Sequence, residues 1–200
     1  MNETPTVATA VASSDGLTEL WSDLSFAVRR SVRYHTHRRK FFDGLDTLFC
    51  FLVIICGGGA LTTAFSPGGN RIVAAITGGA MAILGSLDLA IGFSTRARDH
   101  HDLSREFSEL ERWIIRVGNQ PTWDDYTEMH NRRLEIEEEE PPVKKSLNCY
   151  CHNEMCRAMG KPDDEFVDMK WYHTWFKQVL DLYPSELIKF KDKKNELPKS

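Results

Sequence analysis

The chain has 200 residues, 42% of them hydrophobic, with 25 Lys and Arg against 29 Asp and Glu and a formal net charge of -4. That balance supplies no global positive field for nucleic acid. Five cysteines, Cys50, Cys56, Cys149, Cys151 and Cys156, do not make the framework of a secreted disulfide domain and fit a reducing compartment.

Residues 1–13 lack periodicity; with the cap offered by Ser14 or Asp15 they define a flexible tail over 1–16. Leu17, Trp21, Leu24, Val28 and Val32 then recur on one face of an amphipathic helix. Nothing breaks that helix before Gly44, so it is expected to run into the first of two apolar runs, Leu45–Phe65. The second run is Ile72–Phe93, after the turn Ser66-Pro67-Gly68-Gly69-Asn70 and Arg71. Each run is about 21 residues, which at about 1.5 Å per residue is close to the roughly 30 Å hydrocarbon thickness of a bilayer. Each carries one charge, Asp46 or Asp88. The pattern predicts a transmembrane helical hairpin.

Competing readings of these runs fail on particular residues. A dinucleotide fingerprint starting at Gly57 needs a glycine at 62, where the chain has Thr62, and no amphipathic helix follows. A signal peptide is excluded by the position of the first run. A buried soluble hairpin remains the alternative, but two full-length runs with no polar face rarely occur in a soluble protein of 200 residues. Eight basic residues flank the spans on one side (Arg29, Arg30, Arg33, Arg38, Arg39, Lys40, Arg96 and Arg98) and only Arg71 lies on the other, which predicts an inner-membrane protein with both termini cytoplasmic.

Past the second span the helix is expected to continue, with Leu103, Phe107, Leu110, Ile114 and Val117 forming a short heptad seam. Gly118-Asn119-Gln120-Pro121 ends it. Thr122 with Asp125 resembles a capping box for a helix carrying Trp123, Tyr126, Met129 and Ile136 and ending in Glu137–Glu140. Pro141-Pro142 is expected to start another helix, stopped at Gly160-Lys161-Pro162. Asp163 or Asp164 caps a last one, with Phe166, Tyr172, Trp175, Phe176, Val179 and Leu180 as its core face. A short helix and frayed tail follow Pro184. The fold class is all-α: a two-span hairpin over 17–118 with flanking helices (spans about 45–65 and 72–93), a cytosolic helical extension over 119–183 forming a bundle, and a charged tail over 184–200.

RRSVRYHTHRRKFFDGLD, the tight glycine-rich hairpin and TRARDHHDLSREFSELERWI together resemble the SLATT family, two-transmembrane effector domains of bacterial conflict systems. The resemblance covers roughly residues 17–140 and rests on architecture. RLEIEEEEPPVKKSLNCYCHNEMCRAMG looks like an extension of standalone bacterial and phage relatives. The resemblance implies membrane permeabilisation or pore formation on a signal, triggered by a separate signalling protein or by the cytosolic helices.

Several residues could carry that chemistry. Gly57, Gly58 and Gly59 in the first span and Gly78, Gly79 and Gly85 in the second let helices approach closely, either within the hairpin or between subunits of a homo-oligomer. The seam at Leu103–Val117 is a second expected source of oligomerisation. By counting from Gly68, Asp46 and Asp88 fall at similar depth near the cytoplasmic boundary. They either line an ion path as an anionic ring or pair with Arg39, Lys40, Arg96 or Arg98. Arg29, Arg30, Arg33, Arg38, Arg39 and Lys40 suit anionic lipid headgroups of the bilayer, and Glu137–Glu140 reads as a solvated face. Cys149, Cys151, His152 and Cys156 lack a C-x2-C pair and read as helix residues rather than zinc ligands. His35 with His37, and His100 with His101, do not face one metal and are expected at a solvated interface. No metal or cofactor is expected. No G-x-S-x-G, H-E-x-x-H or Walker A motif suggests an enzyme. The alternative function is a membrane-anchored interaction module whose cytosolic helices dock a partner and whose hairpin is only an anchor.

Overall fold

The computed structural model describes the backbone of residues 7–179 and the side chains of residues 16–179. The charged tail after Pro184 and the expected core residue Leu180 lie outside the described residues. Among the described residues six α-helices follow in order: α1 (Val7–Phe65), α2 (Arg71–Ile91), α3 (Phe93–Val117), α4 (Trp123–Glu138), α5 (Lys145–Ala158) and α6 (Trp171–Phe176). A 3-10 turn at Asp163–Glu165 precedes α6. No β-strand is present among the described residues. The chain divides into two compact units, one of Met1–Thr36 with Asp102–Ser200 and one of His37–His101.

Helix α1 is unbroken over 59 residues, as the absence of any breaker before Gly44 predicts. It begins earlier than the expected cap at Ser14 or Asp15. Ala8, Ala10 and Ala12 give the stretch from Val7 a strong helix propensity, and the backbone is helical through the part of the expected tail from Val7 onward.

In the first unit one apolar stripe of α1 meets the seam of α3. Trp21, Leu24 and Val28 pack against Leu103, Phe107, Leu110 and Ile114, and Met129 and Ile136 of α4 close the core. Phe107 at its centre is fully buried, with 0% of its surface exposed. The Trp21 indole donates to the Gly118 carbonyl at 3.0 Å, a polar clasp where α3 ends. The heptad seam is therefore covered by helices of its own chain and does not present an apolar face to a second copy.

The capping box at α4 forms as its sequence predicts. Thr122 Oγ1 accepts from the Asp125 N–H at 3.2 Å, and the Asp125 carboxylate accepts from the Thr122 N–H at 2.9 Å. A hydrogen bond donated by the Thr122 hydroxyl at 2.6 Å, with the one from the Thr122 N–H, holds the Asp125 carboxyl below its ordinary range. A second cluster joins Tyr34 of α1 to Leu147 and Cys151 of α5. The Tyr34 hydroxyl accepts from the Lys144 N–H at 2.8 Å, just before α5 begins.

Three expectations need correction. α2 and α3 do not form one helix. Gly92 adopts a left-handed conformation at φ 67° and its N–H donates to the Asp88 carbonyl, ending α2 with a glycine cap. Pro141-Pro142 does not begin α5, which starts at Lys145. The expected last helix is a 3-10 turn, an extended stretch and the six-residue α6. Trp175, Phe176 and Val179 are exposed there rather than core, and His173 is buried in their place.

Because the seam faces inward, Leu110→Glu should destabilise the protomer. The expected cost exceeds the roughly 2–5 kcal/mol of a Leu→Ala cavity, because a carboxylate is buried as well. Denaturant unfolding followed by circular dichroism measures it. An unchanged midpoint together with a smaller oligomer on crosslinking would overturn the inward assignment.

Candidate functional site

The second unit holds both apolar runs. The first is the C-terminal end of α1 and the second is almost all of α2. They are joined by a turn that glycine makes possible. Gly68 has φ 84°, a conformation disfavoured for any other residue, and a Cβ on Gly69 would overlap the Thr63 carbonyl. Asn70 caps α2, its side-chain oxygen accepting from the Ile72 N–H at 2.9 Å.

The two segments touch through small residues. A Cβ on Gly57 would lie 3.2 Å from the Met81 sulfur, and one on Gly59 would lie 3.7 Å from the Thr77 methyl. Gly58, Gly78, Gly79 and Gly85 have open space where a Cβ would be. The candidate packing glycines thus split: Gly57 and Gly59 serve contact within the chain, and the other four do not.

The outer faces are apolar and bare. No residue of α2 is buried. Ile54 is 71% exposed and Leu89 is 87% exposed, and Phe51, Leu61, Phe65, Ile72, Ile76 and Ile83 are exposed as well. Both helices are long and apolar enough to cross a membrane, and none of either apolar window is buried inside the protein. A core helix of a water-soluble fold of the same composition would be buried.

Near the base of this pair an aromatic cluster closes the unit. Phe42, Phe93 and Ala97 are buried, with Phe41, Leu45, Phe49 and Ile91 packed on them. The Arg38 guanidinium lies 4.5 Å from the Phe42 ring centroid, and His100 stacks on the same ring at 5.7 Å and 8°. His35, on the other unit, is 1% exposed, stacks on Phe107 and sits 2.8 Å from a Glu140 carboxylate oxygen. His35 and His100 are therefore buried aromatic partners and not residues of a solvated interface. His101 is exposed and meets the Arg39 guanidinium at 2.9 Å.

Asp46 and Asp88 have neither an ion pair nor a side-chain hydrogen bond among the described residues. Of the cations expected to neutralise them, two are engaged elsewhere: Arg39 pairs with Asp43 at 3.4 Å, and Arg96 Nε donates to the Ile91 carbonyl at 3.0 Å. Phe49 meets Phe93 with ring centroids 4.9 Å apart at the end of the pair away from the turn. Nearer the turn, Gly59 and Thr77, each nine residues from Gly68, face one another.

The basic block is largely committed within the protein. Arg29 pairs with Glu111 at 3.1 Å, Arg33 contacts the Met155 sulfur, and Arg38 is buried beside Phe42. Burial, reinforced by Arg133, lowers the affinity of Arg30 for its proton. Arg39 and Lys40 are exposed. Glu137 and Glu140 are also engaged, with Arg133 and His35, leaving Glu138 and Glu139 as the solvated pair of that block. Cys151 and Cys156 are buried in α5, where desolvation pushes the Cys151 thiol up to about 12. His152 Nε2 lies 2.9 Å from the Glu165 carbonyl and 3.3 Å from the Cys156 sulfur, a clasp between α5 and the 3-10 turn. The buried histidines and the aromatic cluster carried no periodic signal that would separate them from the charged residues around them.

No protein-family model, curated protein or solved structure matches the chain.

Two outcomes follow from this geometry. Asp46→Asn and Asp88→Asn should leave the melting temperature of the detergent-solubilised protein unchanged or raise it, because no cation loses a partner. A clear fall in either variant would mean that a cation does depend on that acid. Moving the Cys151 thiol from 9.0 to about 12 leaves ~1,000-fold less thiolate near neutral pH. Iodoacetamide at pH 8 should therefore spare Cys151 in the folded protein and label it after unfolding, as peptide mass mapping would show. Rapid labelling of the folded protein would refute the burial argument.

Proposed function

We propose that this chain is a two-span inner-membrane protein with both termini in the cytoplasm, acting as a pore-forming or membrane-perturbing effector in bacterial conflict with phage. The observation that carries the reading is the bare apolar surface of both segments. Apolar side chains exposed on the outer faces of two helices cost roughly 25 cal/mol per Å² in water, and a bilayer removes that cost. Basic residues flanking the segments support the orientation. The resemblance of residues 17–140 to SLATT effectors supports the activity. Four open glycines, Gly58, Gly78, Gly79 and Gly85, leave room for the close approach of another copy, and two unpaired acids give such an assembly fixed negative charge along a path.

A second reading, a membrane-anchored interaction module, is favoured by two other observations. The cytosolic seam is already filled by the chain's own helices, and two of the six glycines are spent on contact within the chain.

Ion flux separates the two. Induced expression should collapse the membrane potential of cells, and purified protein should release a trapped ion from vesicles. The double variant D46N/D88N should reduce or alter that flux while inserting normally. A periplasm-active reporter fused at Ser200 should be silent. Wild-type protein that inserts fully and passes no ions, with or without a co-expressed partner, would leave the anchor reading in its place.

A further inference from the structure

The Nε–H of Arg29 is shut off from solvent and has no hydrogen-bond acceptor among the described residues. A Glu111 carboxylate oxygen lies 3.1 Å away, but off the direction of that N–H, so the ion pair forms without the hydrogen bond. Buried donors are almost always matched, and an unmatched one needs a reason.

Arg29 lines a cleft of about 430 Å³ that the first unit forms between α1, the end of α3 and the end of α5. Small-molecule sites span roughly 300–1,000 Å³, with apolar walls and a few convergent polar groups. The apolar wall here is Trp21, Ile115 and Met159. Trp21 is buried, whereas Ile115 is 60% exposed and Met159 42% exposed. Ser22 and Asn119, both exposed, add a hydroxyl and an amide to the lining.

Much of the polar chemistry in this wall is already spent. The Trp21 indole N–H is given to the Gly118 carbonyl, and the Ser25 hydroxyl donates to the Trp21 carbonyl at 2.7 Å. The Arg29 Nε–H is not spent. Its side chain is 34% exposed, so a turn about its outer bonds brings that N–H to the cleft. The pair with Glu111 is of the part-exposed kind that restrains such a turn only weakly.

Charge then selects the head of the ligand. Arg29 is the one charged residue among those lining the cleft, and Glu111 already balances it. An arriving anion would meet the Glu111 carboxylate, and an arriving cation would meet the guanidinium. An uncharged carbonyl oxygen accepts the N–H and brings neither cost. We propose that this cleft binds a small, largely apolar molecule that presents an uncharged carbonyl oxygen to the Arg29 Nε–H and lays its body against Trp21, Ile115 and Met159. The site lies wholly in the first unit and does not rest on the two-span reading.

The probes are naphthylacetamide, naphthylacetate and naphthylethylamine, which share an aromatic body and differ in the charge of the head. Each is titrated calorimetrically into the full-length protein held in phosphatidylcholine discs, with empty discs as the blank. The amide should bind saturably and about tenfold more tightly than the acid or the amine, the worth of one good hydrogen bond. Ser22→Phe fills the cleft from its exposed edge and should abolish binding while the melting temperature holds. Ile115→Trp does the same from the α3 side if Ser22→Phe fails to fold. Arg29→Lys keeps a cation facing Glu111 but has no Nε–H, so it should bring the amide down to the level of the other two probes. Equal binding of all three probes to the wild type, lost in a filled variant, would overturn the carbonyl assignment. Binding that survives both filled variants, or an amide that never saturates, would overturn the site.

Discussion

The structure depends on one constraint: two helical segments of about 21 residues touch one another along a narrow line and leave their outer faces apolar and uncovered. A helix satisfies its backbone hydrogen bonds internally, so such a segment is stable in an apolar solvent without further partners. The details at the turn serve that requirement. Pro67, Gly68 and Gly69 reverse the chain within a few residues, and Asn70 supplies an oxygen to the first free N–H groups of the returning helix. At the other end, Arg38, Phe42 and His100 put charged and aromatic groups together where an apolar stretch gives way to a polar one. Cation–π contacts of this kind are worth about 0.5–2 kcal/mol, and they hold the buried Arg38 guanidinium against the aromatic cluster.

The first unit follows the rules of a water-soluble helical core. Its stripe and seam are narrow, and the charged residues between them pair across the outer faces. Arg29 with Glu111 and Arg132 with Glu106 link neighbouring helices at distances of 3.1 and 3.5 Å. Such exposed pairs contribute little to stability, about 0–1 kcal/mol each. Phe107, Leu110 and Ile136, all buried, carry the unit. The buried His35–Glu140 contact has a different effect: it fixes where the chain leaves α4, because both groups would be costly to strand without each other.

Where periodicity was strong, the sequence was readable. Leu17, Trp21, Leu24 and Val28 are buried, as are Leu103, Phe107, Leu110 and Ile114, and Thr122 with Asp125 forms its reciprocal cap. What the pattern could not say was which surface covers the seam: a heptad looks the same whether its partner is another copy or another helix of one chain. Ala90-Ile91-Gly92-Phe93 reads as continuous apolar helix, because the left-handed turn of Gly92 leaves no trace in hydropathy. The segment after Pro162 failed for the opposite reason. Aromatic residues at near-helical spacing suggested a core face, but their exposure is decided by His173 and Lys177, which anchor the other side.

The clasp between Trp21 and Gly118 has a consequence for biosynthesis. The two residues are 97 positions apart, and both apolar segments are made between them. At about 5–20 residues per second, the ribosome takes several seconds to supply the partner that Trp21, Leu24 and Val28 require. During that interval the amphipathic end of α1 is a nascent chain with an unsatisfied apolar stripe, and it cannot close its core until α2 has been completed and α3 has emerged. The order of events is thus imposed by connectivity: the apolar pair forms first and the soluble core last. A chain stalled between the two would display a hydrophobic face of the kind that chaperones and quality-control proteases recognise.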